Sequence, residues 1–321
     1  MSGGFTTTAP DHLIRSQIYS KQLKDVLLAD LQATGYVNWM QDFPDGDTFN
    51  IPSVGQMEVD NYVEDTAIKY RAMATGNFQF QVTEYLSSGT YITEKDKQDS
   101  FWAPLIISQF VPKQHRAIME RVEADILKLS HSQTISDPNT INGADHRFVA
   151  SGSSGEITVK DFAKALYALK KANVPQTDLI AIVDPSVEYT LSTLTNLVNV
   201  QNNPKWEGIV ADGIASGMKF LKNVYGFDVY TSQFLADAGS TSNGSETVSS
   251  VSVTNAKENL FFSATADVKP FVGAWRQMPK VDSKYNQDFQ REEYVTTARY
   301  GVKLFRPENL VVSLSSTNVI S

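Results

Sequence analysis

From Asp42 to Asp65 the chain carries seven carboxylates, Asp42, Asp45, Asp47, Glu58, Asp60, Glu64 and Asp65, and neither a lysine nor an arginine. Lys69 and Arg71 then arrive together. The surrounding residues, from about 47 to 93, are β-branched, aromatic and polar, and Phe78, Phe80 and Val82 recur at every second position, the period that lines one face of a strand. This predicts a long hairpin with arms at 48–64 and 77–93 and a turn or tip at 65–76. Such a ribbon holds few core-type residues, and two strands alone are marginal in water. It is therefore either a solvated acidic face or an arm that docks on a complementary surface of another subunit.

The rest of the chain has ordinary core patterning. Over 11–33, Ile14 and Ile18, then Leu23, Leu27 and Leu31, recur at four-residue steps that predict a helix, and Gly35 stops it. Pro112 suits the first turn of a second helix, running to about His131 with Ile118, Val122, Ile126 and Leu129 in one stripe. Residues 136–156, rich in Ser, Asn, Asp and Gly, read as a loop and a boundary. Thr158 and Asp161 form a capping pair for a helix with Phe162, Leu166 and Leu169 inward, ended by Asn173 and Pro175. A buried strand is expected at 179–183, and Asp184 with Pro185 starts a helix through Val187, Leu191, Leu194 and Leu197. A short helix at 207–220 precedes a turn into a strand at 226–230. Residues 238–250 read as a polar surface loop, and strands are expected at 260–263, 268–275, 294–305 and 310–314, with Pro307 separating the last two.

Composition narrows the function. With 321 residues the chain has room for roughly two domains at about 150 residues each. Its 36 acidic and 28 basic residues give a formal charge of -8, which opposes binding modes that rest on neutralising phosphates. The absence of cysteine excludes disulfides, thiolate catalysis and Cys-ligated zinc. The first residues show neither the basic nor the apolar region of a signal peptide, and no apolar run approaches the ~20 residues that cross a bilayer, so a soluble chain without membrane partners is expected.

Catalytic motifs are not found. His12, His115, His131 and His146 form no HExxH pair and read as surface or helix-face residues, so no metal site is expected. Gly152-Ser153-Ser154-Gly155 matches neither a phosphate loop nor a nucleophile elbow and reads as a flexible linker. Asp42, Asp45, Gly46 and Asp47 lack the spacing of a calcium loop and suit a tight acidic turn. The many carboxylates could supply a glycosidase pair, but nothing nominates one. Trp39, Trp102, Trp206 and Trp275 are dispersed and read as core or interface anchors. No catalytic residue and no cofactor is expected.

The order of elements is a helical arm, an extended acidic hairpin, a long helix and then a mixed α/β part. It carries Val183-Asp184-Pro185-Ser186, the turn Gly226-Phe227-Asp228-Val229-Tyr230, and the closing stretch Arg299-Tyr300-Gly301-Val302-Lys303-Leu304-Phe305-Arg306-Pro307-Glu308-Asn309-Leu310-Val311-Val312. In this order and in these stretches the chain resembles the major capsid proteins of tailed double-stranded DNA bacteriophages, an α+β class with the Hong-Kong-97-type fold. The resemblance implies an N-terminal arm at 1–35 and an extended β-hairpin loop at 36–100. It implies a peripheral domain with a spine helix at 101–150 and 277–304, and an axial domain at 151–276 and 305–321.

It further implies a structural protein, not an enzyme, whose copies form pentamers and hexamers that tile an icosahedral head around the genome. Assembly would run through a procapsid in the bacterial host cytoplasm, with a portal and a decoration protein as further partners, and the acidic shell would hold DNA only non-specifically. Because the extended loop begins near residue 40, no fused scaffolding segment is expected, and a separate scaffolding protein is. The expected inter-subunit contacts are Ile14, Ile18 and Leu23 of the arm and Asp45, Asp47, Glu58, Asp60, Glu64, Asp65, Lys69 and Arg71 of the loop. Some members of the family cross-link a loop lysine; Lys69 is present, but no motif supports that bond. The alternatives are an encapsulin-like nanocompartment shell, a tail-tube protein and a soluble hydrolase.

Overall fold

The computed structural model describes residues 31, 33–40, 48–54, 59–68, 70, 72, 75–99, 103–193, 224–239 and 243–317. Of the sequence expectations, the helix at 11–33 apart from Leu31 and Ala33, the acidic turn at 42–47, the helix at 207–220, and Leu194, Leu197, Trp102 and Trp206 lie outside these residues.

Two sheets share one helix. In the first sheet, strands β13 (Phe271–Asn286) and β14 (Arg291–Leu304) form a long antiparallel hairpin. Strand β4 (Glu84–Thr93) runs antiparallel to β14, and β1 (Val37–Met40) lies parallel to the start of β13, giving the order β1-β13-β14-β4. Helix α2 (Ala103–Leu127) follows the short helix α1 (Glu94–Asp99) and lies against this sheet. Its Ile118, Val122, Ile126 and Leu127 are buried, each worth about 1.5–3 kcal/mol relative to exposure. Polar contacts fix its register: Gln114 Nε2 donates to the Tyr294 carbonyl at 3.2 Å, Thr296 Oγ1 to Gln114 Oε1 at 2.9 Å, and Tyr300 Oη to Asp125 Oδ2 at 2.7 Å.

The strands of the second sheet are β7 (Arg147–Val149), β8 (Leu179–Val183), β9 (Asp228–Thr231), β12 (Ala256–Ser263) and β15 (Val311–Ser316). They lie in the order β7-β15-β12-β8-β9. The strand period sends Ala181, Val183, Phe261 and Val311 to a core shared with helices α3 (Val159–Lys171) and α4 (Pro185–Thr193). Phe162, Phe227 and Phe261 meet there edge to face, with ring centres 5.1–6.4 Å apart. The alternate residues, Ile180, Ile182, Leu260, Phe262, Val312 and Leu314, enter a second core with Val122, Ile126, Phe271 and Tyr300. Covered on both faces, β8 can be continuously apolar.

Local signals held in this half. Thr158 and Asp161 form the expected capping box, with the Thr158 N–H donating to Asp161 Oδ2 at 2.7 Å. Asp184 accepts the Ser186 N–H at 3.0 Å at the start of α4. Gly226, at φ 89°, turns the chain into β9.

Several expectations are corrected. Pro112 lies inside α2 rather than at its start. The proline removes one helical hydrogen bond, and packing of the stripe beyond it carries the helix through. The second arm of the predicted hairpin is two strands: β3 (Thr75–Gln81) pairs with β2 (Thr48–Val54), whereas β4 leaves to join the α2-backed sheet. The first arm, expected to reach residue 64, ends at Val54. The expected loop at 136–156 contains β5 (Thr140–Ile141), β6 (Ala144–Asp145) and β7. The expected polar loop at 238–250 contains β10 (Glu246–Val248), which pairs with β11 (Val251–Val253) and buries Glu246 and Val248. The serine-glycine segment at 152–155 is a bonded turn, with the Gly152 N–H on the Glu156 carbonyl and the Ser316 N–H on the Gly155 carbonyl.

Candidate assembly surfaces

The ribbon β2–β3 is held to the body at its base, through residues 78–82. Phe80 and Val82 are buried with Val272 and Ala274, Phe78 meets Phe305 edge to face at 5.0 Å, and Lys303 Nζ donates to the Gln79 carbonyl at 2.8 Å. Gly301 permits the approach: a Cβ there would stand 2.5 Å from the Gln81 carbonyl oxygen.

Away from that base the chain is bare. Every residue of 59–68 is exposed, including Asp60, Glu64 and Asp65. Between them stand large apolar side chains: Val59 is 96% exposed and Tyr70 93%, and Tyr62, Val63 and Ile68 are also exposed. Asp65, at φ 62°, and a hydrogen bond from the Thr66 N–H to the Val63 carbonyl shape a turn here. Apolar side chains gathered this way on a segment without its own core are the usual mark of a partner surface. Sequence reasoning found the acids and missed these neighbours. The available signal was that Val59, Tyr62, Val63, Ile68 and Tyr70 sit where no core exists to receive them.

Of the other expected contact residues, Ile14, Ile18, Leu23, Asp45, Asp47, Glu58, Lys69 and Arg71 lie outside the described residues.

A second feature is the clamp that fixes residues 33–40. The short 3-10 turn Ala33–Tyr36 begins with free N–H groups, and the buried carboxylate of Glu123 on α2 accepts them, from Ala33 at 2.7 and 2.9 Å and from Thr34 at 3.3 Å. Trp39 donates from Nε1 to the Thr34 carbonyl at 3.0 Å and stacks on Trp275 at 5.1 Å, with Trp275 in turn 5.3 Å from Tyr300. Burial, then Tyr230, push the Tyr36 hydroxyl up to about 12, so it stays protonated. Sequence reasoning took Trp39 and Trp275 as separate anchors; the parallel pairing of β1 with β13 brings them together.

The histidines divide. His115 is exposed, as expected, and His12 lies outside the described residues. His131 is half-buried, and His146 is fully buried, which corrects the surface expectation; its Nδ1 lies 3.1 Å from the Ala144 carbonyl, and burial holds it below the usual histidine range. Among the described residues no group of three or more His, Asp or Glu is placed to hold a metal. Two buried carboxylates, Glu246 and Glu258, are both engaged by Arg147.

Two sheets sharing a helix, with a ribbon held at its base, fit the shell-subunit architecture that the sequence resemblance implies. The sequence comparison makes this specific: a family model described as phage capsid protein matches residues 76–313, and the chain belongs to that family. Comparison with curated proteins gives no match. Solved structures of similar fold include the capsid asymmetric unit of cyanophage Pam1, with a TM-score of 0.71 at 12% identity, covering 97% of this chain and 99% of that one. The capsid of cyanophage P-SCSP1u gives 0.69 at 15%, covering 94% and 92%, and the capsid of a native GTA particle 0.64 at 11%, covering 97% and 98%.

The fold is thus the Hong-Kong-97-type capsid fold, and the chain is a structural capsid protein of a phage. Membership sets aside the tail-tube and hydrolase alternatives.

Proposed function

We propose that copies of this chain assemble as pentamers and hexamers, and that segment 59–70 is the element that reaches onto an adjoining subunit. The observation that carries this is the run of exposed Val59, Tyr62, Val63, Ile68 and Tyr70 among the carboxylates beyond a ribbon held at Phe80 and Val82. In this reading residues 1–35 are an arm and 36–100 the extended loop. Residues 101–150 with 277–304 are the peripheral domain, and 151–276 with 305–321 the axial domain. Ile14, Ile18 and Leu23 of the arm, and Asp45, Asp47, Glu58, Lys69 and Arg71 of the loop, join Asp60, Glu64 and Asp65 at the contacts.

The role is mechanical, with no catalytic residue and no cofactor. Assembly takes place in the host cytoplasm around a separate scaffolding protein and a portal. A decoration protein binds the finished shell, and the formal charge of -8 suits a container that encloses double-stranded DNA without gripping it.

The test is electron microscopy of the full chain, expressed alone and with its scaffold, beside a variant in which 59–68 are replaced by Gly and Ser. The expected result is closed shells from the parent and a folded, unassembled subunit from the variant. Normal shells from the variant would overturn the docking role of the segment. Shells loaded with a protein cargo in place of DNA would indicate a nanocompartment.

A further inference from the structure

Four charged or titratable side chains from four separate segments meet where helix α2 ends. Arg147 of β7 donates from Nε to Glu246 Oε1 at 2.7 Å and from Nη2 to Glu246 Oε2 at 2.6 Å, and Nη2 also donates to Glu258 Oε1. Glu246 lies on β10 and Glu258 on β12. All three side chains are 0% exposed. His131, in the 3-10 turn Lys128–Ser132 that continues α2, places Nε2 at 3.2 Å from the same Glu258 Oε1 and at 3.1 Å from the Asp237 carbonyl. With two acceptors facing it, Nε2 carries a hydrogen.

The charges do not balance without the histidine. One guanidinium against two carboxylates leaves a buried net charge of −1, and a buried charge without compensation is costly. Glu258 Oε2 and Arg147 Nη1 make no hydrogen bond, so neither offers relief inside the cluster. Glu246 is well held: burial pushes its carboxyl up, but Arg147 and the Ser136 N–H, which donates to it at 2.8 Å, bring it below the usual range. The shortfall therefore falls on Glu258, which shares Oε1 between Arg147 and His131.

We propose that His131 is a proton-operated lock: when charged it neutralises the buried Arg147, Glu246 and Glu258 cluster and clamps the end of helix α2 to strand β12, and when uncharged it leaves the cluster with its net charge and weakens that clamp. Protons have a route. His131 also lines an open cleft of about 310 Å3, beside Glu84 of β4, Asp125 of α2 and Lys128 of its own turn. Among the described residues, Asp237 and Lys257 beside it pair with each other at 2.7 Å, and Glu258 is the buried carboxylate that His131 meets.

The hydrogen bond to Glu258 holds His131 above the usual histidine range, against the desolvation that lowers it; the Glu258 charge and the Asp237 carbonyl add to the rise, and Arg147 opposes it. The sign follows. A histidine whose folded value lies above its unfolded value of about 6.5 contributes stability that is complete below about pH 6.5 and is lost as pH rises through the folded value.

The lock is a property of the subunit and does not depend on the shell reading. It is tested on the full chain by histidine-selective NMR and by unfolding of the parent and of His131→Gln between about pH 5.5 and 9. The expected result is a His131 midpoint above about 6.5 that falls in Glu258→Gln, where a fall of one pH unit corresponds to about a tenfold change in the ratio of charged to uncharged histidine. Amide exchange at Ser130 and Glu258 should quicken over the same pH window in the parent and show no such step in His131→Gln. A parent His131 that titrates at or below about 6.5 would overturn the proposal without need of a variant, and so would stability curves of parent and His131→Gln that run parallel through the window.

Discussion

Strand β8 is buried along its whole length, whereas every residue of 59–68 is exposed, yet both segments carry large apolar side chains. The difference lies in what stands opposite. Phe261 and Leu260 of β12, α3 and the α2 core close both faces of β8 within one chain. Among the described residues, 59–68 have no such cover, because β3 is followed by a strand that leaves for the other sheet, while the base is held at Phe80 and Val82. Apolar content alone therefore does not mark a core; it marks a surface that needs a partner, and topology decides whether that partner is the same chain.

The largest effect should come from cutting the self-covered side. Phe261→Ala opens the three-ring cluster and should cost about 3–5 kcal/mol in denaturant unfolding, while Tyr62→Ala at the tip should stay within about 0.5 kcal/mol. Equal losses at the two sites would erase the distinction. Next is the seam between the two regions. Gly301→Ala drives a methyl against the Gln81 backbone and should cost about 1–3 kcal/mol, because the colliding atom is a carbonyl that cannot swing aside as a side chain could. An unchanged unfolding midpoint would mean that the ribbon base sits further from β14 than the packing of Phe80 implies.

The same contrast explains what could be read from the sequence. Helix α3, β8 and α4 were legible because their signals are local: Thr158 with Asp161, an apolar run of strand length, and Asp184 before Pro185. The start of α2 was not, since Pro112 is tolerated only through packing that a one-dimensional pattern does not display. The distal half of β13 was missed because it is largely exposed and its apolar residues, Met278, Val281 and Tyr285, do not recur at every second position. Glu246 looked like loop polarity, and only the fold brings it to Arg147, 99 positions away in sequence. At the candidate surface the acids Asp60, Glu64 and Asp65 were read from charge alone, while their apolar neighbours become informative once the absence of a covering layer is known.

The smallest expected effect on the subunit is the sharpest test of the tip. Replacing Asp60→Asn, Glu64→Gln and Asp65→Asn together removes three charges from exposed positions, where surface charges contribute little to the folding of their own chain. Subunit unfolding should therefore be unchanged within about 0.5 kcal/mol. If the tip meets a basic surface of an adjoining copy, the assembled particle should lose thermal stability at low salt, and the loss should shrink as salt rises above about 0.1 M, where screening over about 10 Å already weakens the parent contact. The comparison that matters is thus particle against subunit and low salt against high. A variant particle that melts like the parent particle at both low and high salt would assign the docking to Val59, Tyr62 and Tyr70 and leave the carboxylates as residues that keep the unassembled ribbon from pairing with its own kind.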